Sequence, residues 1–378
     1  MADERPGEAA EGRAALGIDE GEARVGDARE EAAFARWLAA ARGADEVEVL
    51  EVDRPTGGFS AETLLVRVAV AKEGRRVEER VVVKREVPDP AIYPEPAPGL
   101  DVEVEIQHRC IEALAAHTDV PVAPLLGWEP TGEVLGAPFY VMGHVDGWVP
   151  GESPPYPSHG WYAEEATPAE RRALVDNGLA ALAAVHAVDW RAAGLDFLVG
   201  PGVTPGTAHQ LALWEAYAER ELDGRVHDLM DDAVAWLHAH LPDDPDVGFC
   251  WGDPRPGNIF WRGTEVACTT DFEAAAIASP LQDLGWWLMF DRSLHPDGVR
   301  AEGDPTLAEQ RALYAGHAGT DVPDTTFHEV FAGYRYAAIV VRVLNRLVAR
   351  GDMPADQPFW RENPASDCLE QLLEEHVR

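Results

Sequence analysis

Hydrophobic and polar positions follow different rhythms in the two parts of this 378-residue chain. The first clear period lies over 29–42, where Phe34, Trp37 and Leu38 fall on one helical face. The period then shortens to two. VEVLEVDRP (47–55) and ETLLVRVAVA (62–71) alternate apolar with polar residues, and RVEERVVVKRE (76–86) is β-branched; the KEGRR between the last two predicts a hairpin turn. VPDPAIYPEPAPG (87–99) carries too many prolines for a helix or a central strand. A helix is predicted over 101–117, then two more strands in PVAPLLGWEP and APFYVMGHV. Residues 45–145 thus predict a lobe of five strands with one helix.

Beyond an aromatic, Pro/Gly-rich segment (146–166) the period becomes helical. Residues 168–188 follow a Thr167 cap with Pro168 in the first turn, and helical patterns return over 209–222, 226–240, 281–290, 306–318, 326–350 and 366–377. A β-like island, 249–273, interrupts them. Trp148, Tyr156, Trp161 and Tyr162 are expected to pack the 146–166 segment down, His186 to be a satisfied core histidine, and Trp286 and Trp287 to belong to the core. Residues 1–28, rich in Glu, Gly, Ala and Arg, read as a disordered leader. The division expected is 1–28, 29–145 and 146–378, an α+β architecture with a sheet-rich lobe before a mainly helical one.

Charge narrows the partners. With 31 basic and 67 acidic residues the formal charge is −36, which repels nucleic-acid phosphates and anionic membrane surfaces. A cationic ligand is compatible with it, though acidity also serves solubility alone. The four cysteines form no C-x-x-C pair and lack metal-ligand spacing, as expected of reduced thiols in a cytosolic protein. The N-terminus has no apolar signal core, and no run approaches the roughly 18 apolar residues of a membrane span. A cytoplasmic location is expected.

Four segments carry candidate chemistry. TGGFSAET (56–63) offers Gly57, Gly58 and Ser60 as groups able to approach phosphates, or simply a hairpin turn. Lys84 shares the face of Val82, so it seeks an anion or snorkels from a sheet edge. WGDPRPGN (251–258) sets Asp253 and Asn258 five residues apart in a loop that cannot be helical. Asp253 suits a hydroxyl's proton, Asn258 offers an oxygen to Mg2+, and Arg255 offers charge to a phosphoryl group; an Asx turn before a hairpin is the plain alternative. TTDFE (269–273) places Asp271 eighteen positions after Asp253, where a hairpin would return it to Asn258. Glu273 suits a second metal or a structural contact equally.

These segments together resemble the aminoglycoside phosphotransferase family of the protein-kinase-like superfamily, over about 45–350. GGFSAETLLV resembles its glycine loop, VVVK its nucleotide lysine and APFYVMGHVDG its hinge. WGDPRPGNIFW resembles the catalytic loop, and DFEAAAIASPLQDLGWWL the metal-binding segment with its following helix. A tryptophan before Gly-Asp is closest to an actinobacterial group of uncharacterised phosphotransferases. The resemblance implies a two-lobed kinase-like fold, with nucleotide binding in 29–145 and catalysis in 146–378. It implies ATP or GTP with Mg2+, and a small molecule bearing a hydroxyl as acceptor. Lys84 would hold the α- and β-phosphates, and Gly143 to Val145 would meet the base. Asp253 would be the catalytic carboxylate, Asn258 and Asp271 would bind Mg2+, and Asp283 would support the loop. Trp251 stands where the family has a loop-propping histidine. The usual partner of the lysine falls on Gln107 by count, with Glu103 and Glu105 nearby; Glu105 is the carboxylate chosen. Those departures leave a regulatory pseudokinase as the alternative. No activation-loop stretch follows Asp271, which disfavours a protein kinase.

Overall fold

A computed structural model describes residues 25–55, 61–89, 91–243, 246–322 and 324–376. They form two compact units. The first takes the described residues up to Val87 together with Leu125–His144; the second takes Pro88–Pro124 and the chain from Val145 onward.

In the first unit, helix α1 (Ala28–Arg42) begins at Asp27, whose carboxylate caps Arg29 and Glu30 while Glu30 returns to the Asp27 amide. It ends at Gly43 in the left-handed region. Five antiparallel strands follow: β1 (Glu46–Asp53), β2 (Glu62–Lys72), β3 (Arg75–Arg85), β4 (Leu125–Glu129) and β5 (Phe139–Gly143), in the order β1-β2-β3-β5-β4. Glu73 and Gly74, both at positive φ, close the β2–β3 hairpin, which pairs without a slip from Lys72 and Arg75 to Glu62 and Arg85. Alternation turns Leu64, Val66, Val68 and Val70 of β2 inward with Val81 and Val83 of β3. Phe34 and Leu38 of α1 bury against this face, and Trp37 meets Phe139 edge-on at 4.7 Å. Val25 is fully buried in the same cluster. The expected leader therefore gives way to ordered chain before residue 28; residues 1–24 lie outside the described residues.

The second unit opens with α2 (Glu103–His117). Then come α3 (Gly160–Glu164), α4 (Pro168–His186), α5 (Thr207–Leu222), α6 (Asp228–Ala239), α7 (Pro280–Leu294), α8 (Leu307–Ala318), α9 (Thr326–Arg350) and α10 (Pro364–His376). The long α9 buries Val330, Phe331, Tyr334, Ala337 and Ala338 among side chains of α5, α6, α7 and α10. Two small sheets sit among the helices: β6 (Gly248–Cys250) pairs with β9 (Ala276–Ala278), and β7 (Ile259–Arg262) with β8 (Glu265–Thr269). The 146–166 segment is tied down as expected. Trp148 exchanges backbone hydrogen bonds with Trp261, and Tyr156 meets Tyr162 edge-on at 4.9 Å.

Several features depart from the sequence reading. The helix at 103–117, expected with the sheet, groups with the second unit, where the buried Glu103 carboxylate accepts from the Ile92 amide at 2.9 Å. Strand β9 and helix α3 were not predicted: three wholly buried residues and a five-residue turn carry no period. All four cysteines are buried, and burial pushes the Cys268 and Cys368 thiols up to about 12. Among the described residues no helix is long and apolar enough to cross a membrane.

Candidate active site

Strand β6 delivers the chain into the loop 251–258, which a 3-10 turn at Pro256–Asn258 closes before β7. Asp253 is 4% exposed at its centre. Its Oδ1 accepts from the Trp286 indole at 2.7 Å and from Arg255 Nε at 2.9 Å. Its Oδ2 accepts from Asn258 Nδ2 at 2.9 Å, and the Tyr93 hydroxyl stands 3.5 Å away. Three neutral groups and the Arg255 guanidinium, whose Nε also reaches Oδ2 at 3.1 Å, thus fix the orientation of this carboxylate as an acceptor. Asn258 Nδ2 also donates to the Asp253 carbonyl at 2.9 Å, so the amide nitrogen is committed to Asp253. What Asn258 has left to offer is its oxygen, the atom a hard cation takes.

Arg255 reaches from Asp253 to the Glu152 carboxylate, over the face of Phe290 at 4.9 Å. Burial works against its charge, but Asp253 and Glu152 outweigh that and hold the guanidinium firmly protonated. Burial in turn pushes the Glu152 carboxyl up, against the pull of Arg255.

Asp283, in the first turn of α7, holds the loop backbone. It accepts from the Trp251 amide at 2.6 Å and the Gly252 amide at 3.0 Å. His186 Nε2 lies 3.1 Å from the same carboxylate, with Nδ1 2.7 Å from the Tyr314 hydroxyl, so this histidine is satisfied as expected. Gly252 sits at φ +95, and a Cβ there would meet the Ala274 carbonyl oxygen at 2.0 Å, so only glycine fits. Trp286 lies one helical turn after Asp283, on the same face of α7. Trp251 is fully buried, donates to the Thr270 carbonyl at 2.7 Å and stacks on Phe272 at 5.4 Å. It ties the loop to the next segment.

That segment is returned by the β7–β8 hairpin. Thr270 donates to the Asn258 carbonyl through its amide at 3.0 Å and its hydroxyl at 3.1 Å. Asp271 is next in the chain, in the left-handed region at φ 58. Asp tolerates that conformation better than most residues, at a cost of about 1–2 kcal/mol. Tyr93 reports the local field: burial raises its hydroxyl pKa well above normal, and Asp253, Glu273 and Asp271 add to this while Arg255 opposes. Glu273 is buried and accepts from Gln107 Nε2 at 2.6 Å. Glu105 stands half-exposed on α2 and pairs with Arg109 at 3.2 Å.

In the first unit Lys84 lies in β3, between Thr63 of β2 and Tyr140 of β5. Gly143 ends β5 opposite Val81, and Val145 opens the main part of the second unit. Gly57, Gly58 and Ser60 lie outside the described residues. Sequence reasoning passed over Tyr93 and Glu152 and assigned Trp286 to the core alone, where it is indeed buried. The spacing of Asp283 and Trp286 was a usable signal; Tyr93 and Glu152 sit in proline-rich stretches without one.

The Phosphotransferase enzyme family profile matches residues 51–321. Acyl-CoA dehydrogenase family member 10 of Mus musculus is 26% identical over 72% of this chain, which spans about a quarter (25%) of that relative's length. A Ralstonia eutropha protein provisionally described as an aminoglycoside phosphotransferase shares the fold at 24% identity and a TM-score of 0.66, with 91% of this chain and 98% of that one covered. A thermostable mutant aminoglycoside phosphotransferase, solved with ADP and hygromycin B, shares it at 12% identity and a TM-score of 0.51, covering 92% and 99%.

Proposed function

This chain belongs to the phosphotransferase enzyme family, and we propose that it is a kinase-type phosphotransferase that moves the γ-phosphate of ATP or GTP, with Mg2+, to a hydroxyl of a small molecule. The observation that carries the reading is the pairing of Asp253 with Asn258. One carboxylate is ringed by donors that keep it an acceptor, and one amide is turned by that carboxylate so that its oxygen is on offer. Asp253 orients the acceptor hydroxyl and receives its proton. The donor set fits a hard cation: Asn258 and Asp271 would hold Mg2+, which when bound offsets phosphate charge. Arg255 stabilises charge on the transferring phosphoryl group, a role that asks it to exchange part of its contact with Glu152.

Lys84, Gly57, Gly58, Ser60, Glu105, Gly143 and Val145 are proposed as the nucleotide contacts, with 29–145 contributing nucleotide binding and 146–378 catalysis. Fold relatives solved with ADP and with GDP support a purine nucleotide, ATP or GTP. The acceptor is an aminoglycoside-like antibiotic or a metabolite; a formal charge of −36 favours a cationic one. The acyl-CoA dehydrogenase name of a relative brings hydroxylated acyl thioesters in as a second acceptor class. A cytoplasmic location goes with these reactants. A regulatory pseudokinase is favoured only by Gln107, whose neutral amide is spent on Glu273.

The test is magnesium-dependent ADP release across aminoglycosides, macrolides, sugars, amino alcohols and hydroxyacyl thioesters, with Asp253→Ala as the blank. We expect Asp253→Ala to lower turnover by about a thousandfold or more while ATP still binds. Turnover at the wild-type rate in that variant would remove Asp253 from its role.

A further inference from the structure

Arg335 lies in the middle of α9 and is 1% exposed. Its guanidinium sits over three rings, Trp286 at 4.8 Å, Trp214 at 4.7 Å and Phe331 at 5.9 Å. It makes one hydrogen bond, from Nη2 to the Gly252 carbonyl at 2.9 Å; Nε and Nη1 have no hydrogen-bond partner among the described residues. As a stabilising device this is poor. A buried cation with two unspent donors forfeits most of its hydration, and an apolar residue of similar length would fill the space at lower cost. Burial accordingly draws its pKa down, with Asp283 and Asp253 holding the charge on.

What the charge touches explains why it is there. Gly252 directly precedes Asp253. Its amide is held by the buried anion Asp283 at 3.0 Å and its carbonyl by the buried cation Arg335 at 2.9 Å. Gly252 itself has no room for a side chain. The same guanidinium lies on the ring of Trp286, whose indole N–H donates to Asp253 Oδ1 at 2.7 Å. One group therefore grips both the backbone that carries the carboxylate and the donor that aims it. We infer that Arg335 is a positioning residue for phosphoryl transfer, fixing the Gly252–Asp253 peptide and the Trp286 indole against it. The inference rests on the reading of Asp253 as the acceptor of the hydroxyl proton.

The experiment compares the full chain with Arg335→Met and Arg335→Lys. It reads melting temperature, amide hydrogen exchange in the peptide spanning 249–262, and magnesium-ATP turnover. For Arg335→Met we expect an unchanged or higher melting temperature and exchange in 249–262 raised about tenfold, with helices far from the loop unaffected. Turnover should fall about tenfold to a hundredfold with the KM for ATP within about twofold, the signature of lost aim rather than lost binding. Arg335→Lys, which keeps the charge, should recover part of both. Unchanged protection of 249–262 in Arg335→Met overturns the inference, and so does a lowered melting temperature with exchange raised throughout the chain. Exchange is read without turnover, so failure of the Asp253 assignment, visible as an active Asp253→Ala, is distinguishable from failure here.

Discussion

Helix α7 carries a cluster of buried charge at each end, and the two clusters use it differently. At its start the second unit gathers Asp253, Asp271, Glu273, Asp283 and Glu152 around Arg255 and Arg335. At its end Asp291, His295 and Asp304 meet Arg300 and Tyr162. His295 Nε2 lies 2.9 Å from Asp304 and its Nδ1 2.8 Å from the Asp291 carbonyl; Arg300 grips Asp291 and the Pro305 carbonyl; Tyr162 donates to Asp304 at 2.9 Å. Proximity alone would nominate the second cluster for a metal, since its three ligand atoms lie within 4.8 Å of one another. Charge accounting reverses that. A protonated His295 and Arg300 match the Asp291 and Asp304 carboxylates and leave the second cluster neutral, whereas at the first cluster Arg255 is shared between the Asp253 and Glu152 carboxylates. A carboxylate that shares its cation with a second carboxylate at a fixed backbone can receive another cation; carboxylates closed on their own cations fasten one element to another.

The largest effects should separate binding chemistry from scaffolding within the first cluster. Asp283→Asn removes the charge that holds two loop amides and His186, leaving buried donors unmatched. We expect a loss of about 3–5 kcal/mol in urea denaturation together with turnover. Asp253→Asn should silence turnover but alter stability by only about 1 kcal/mol, because Arg255 retains Glu152 as partner. Equal losses of stability in the two variants would erase the distinction between them.

The second cluster supplies the converse. Asp304→Asn should cost about 2–3 kcal/mol by denaturation, from the contacts of His295 and Tyr162, with turnover at the wild-type rate. A fall in turnover larger than the fall in folded protein would mean that the two ends of α7 are coupled and the comparison misdrawn.

Much of this was legible in residue order. The switch from a period of two to one of 3.6 marked the sheet and the helices; Asp253 and Asn258 stood out because Gly and Pro forbid a regular element between them, Asp271 because a hairpin would return it, and Asp283 only through the family resemblance. Arg335 was not legible. It is one of several arginines on α9, with Arg342, Arg346 and Arg350, and what separates it is a carbonyl distant in sequence. Helical phase separates the three candidates on α2. Residues 103 and 107 lie one turn apart on the buried face, while Glu105 falls on the other side and meets Arg109. Gly57, Gly58 and Ser60 lie outside the described residues, so their expected role stays with the resemblance.

The smallest effect is the most diagnostic of a closed cluster. Burial opposes a charge on His295, but the hydrogen bond to Asp304, the Asp291 carboxylate and its carbonyl outweigh that, with Arg300 opposing, and the pKa stands above 6.5. Asp291, Asp304 and Arg300 are the charged groups that face it, and Tyr162 reaches it only through Asp304. A histidine whose folded pKa is raised contributes stability that is full below the unfolded value, about 6.5, and lost as pH climbs through the folded value. Melting temperature should therefore decline from pH 6 to above neutrality by more in the wild type than in His295→Gln, the two curves converging at the alkaline end. Turnover per folded molecule should show no matching difference between the two proteins. Parallel melting curves would mean that His295 is neutral in the fold, leaving two aspartates to share one arginine, as Asp253 and Glu152 share Arg255 in the first cluster.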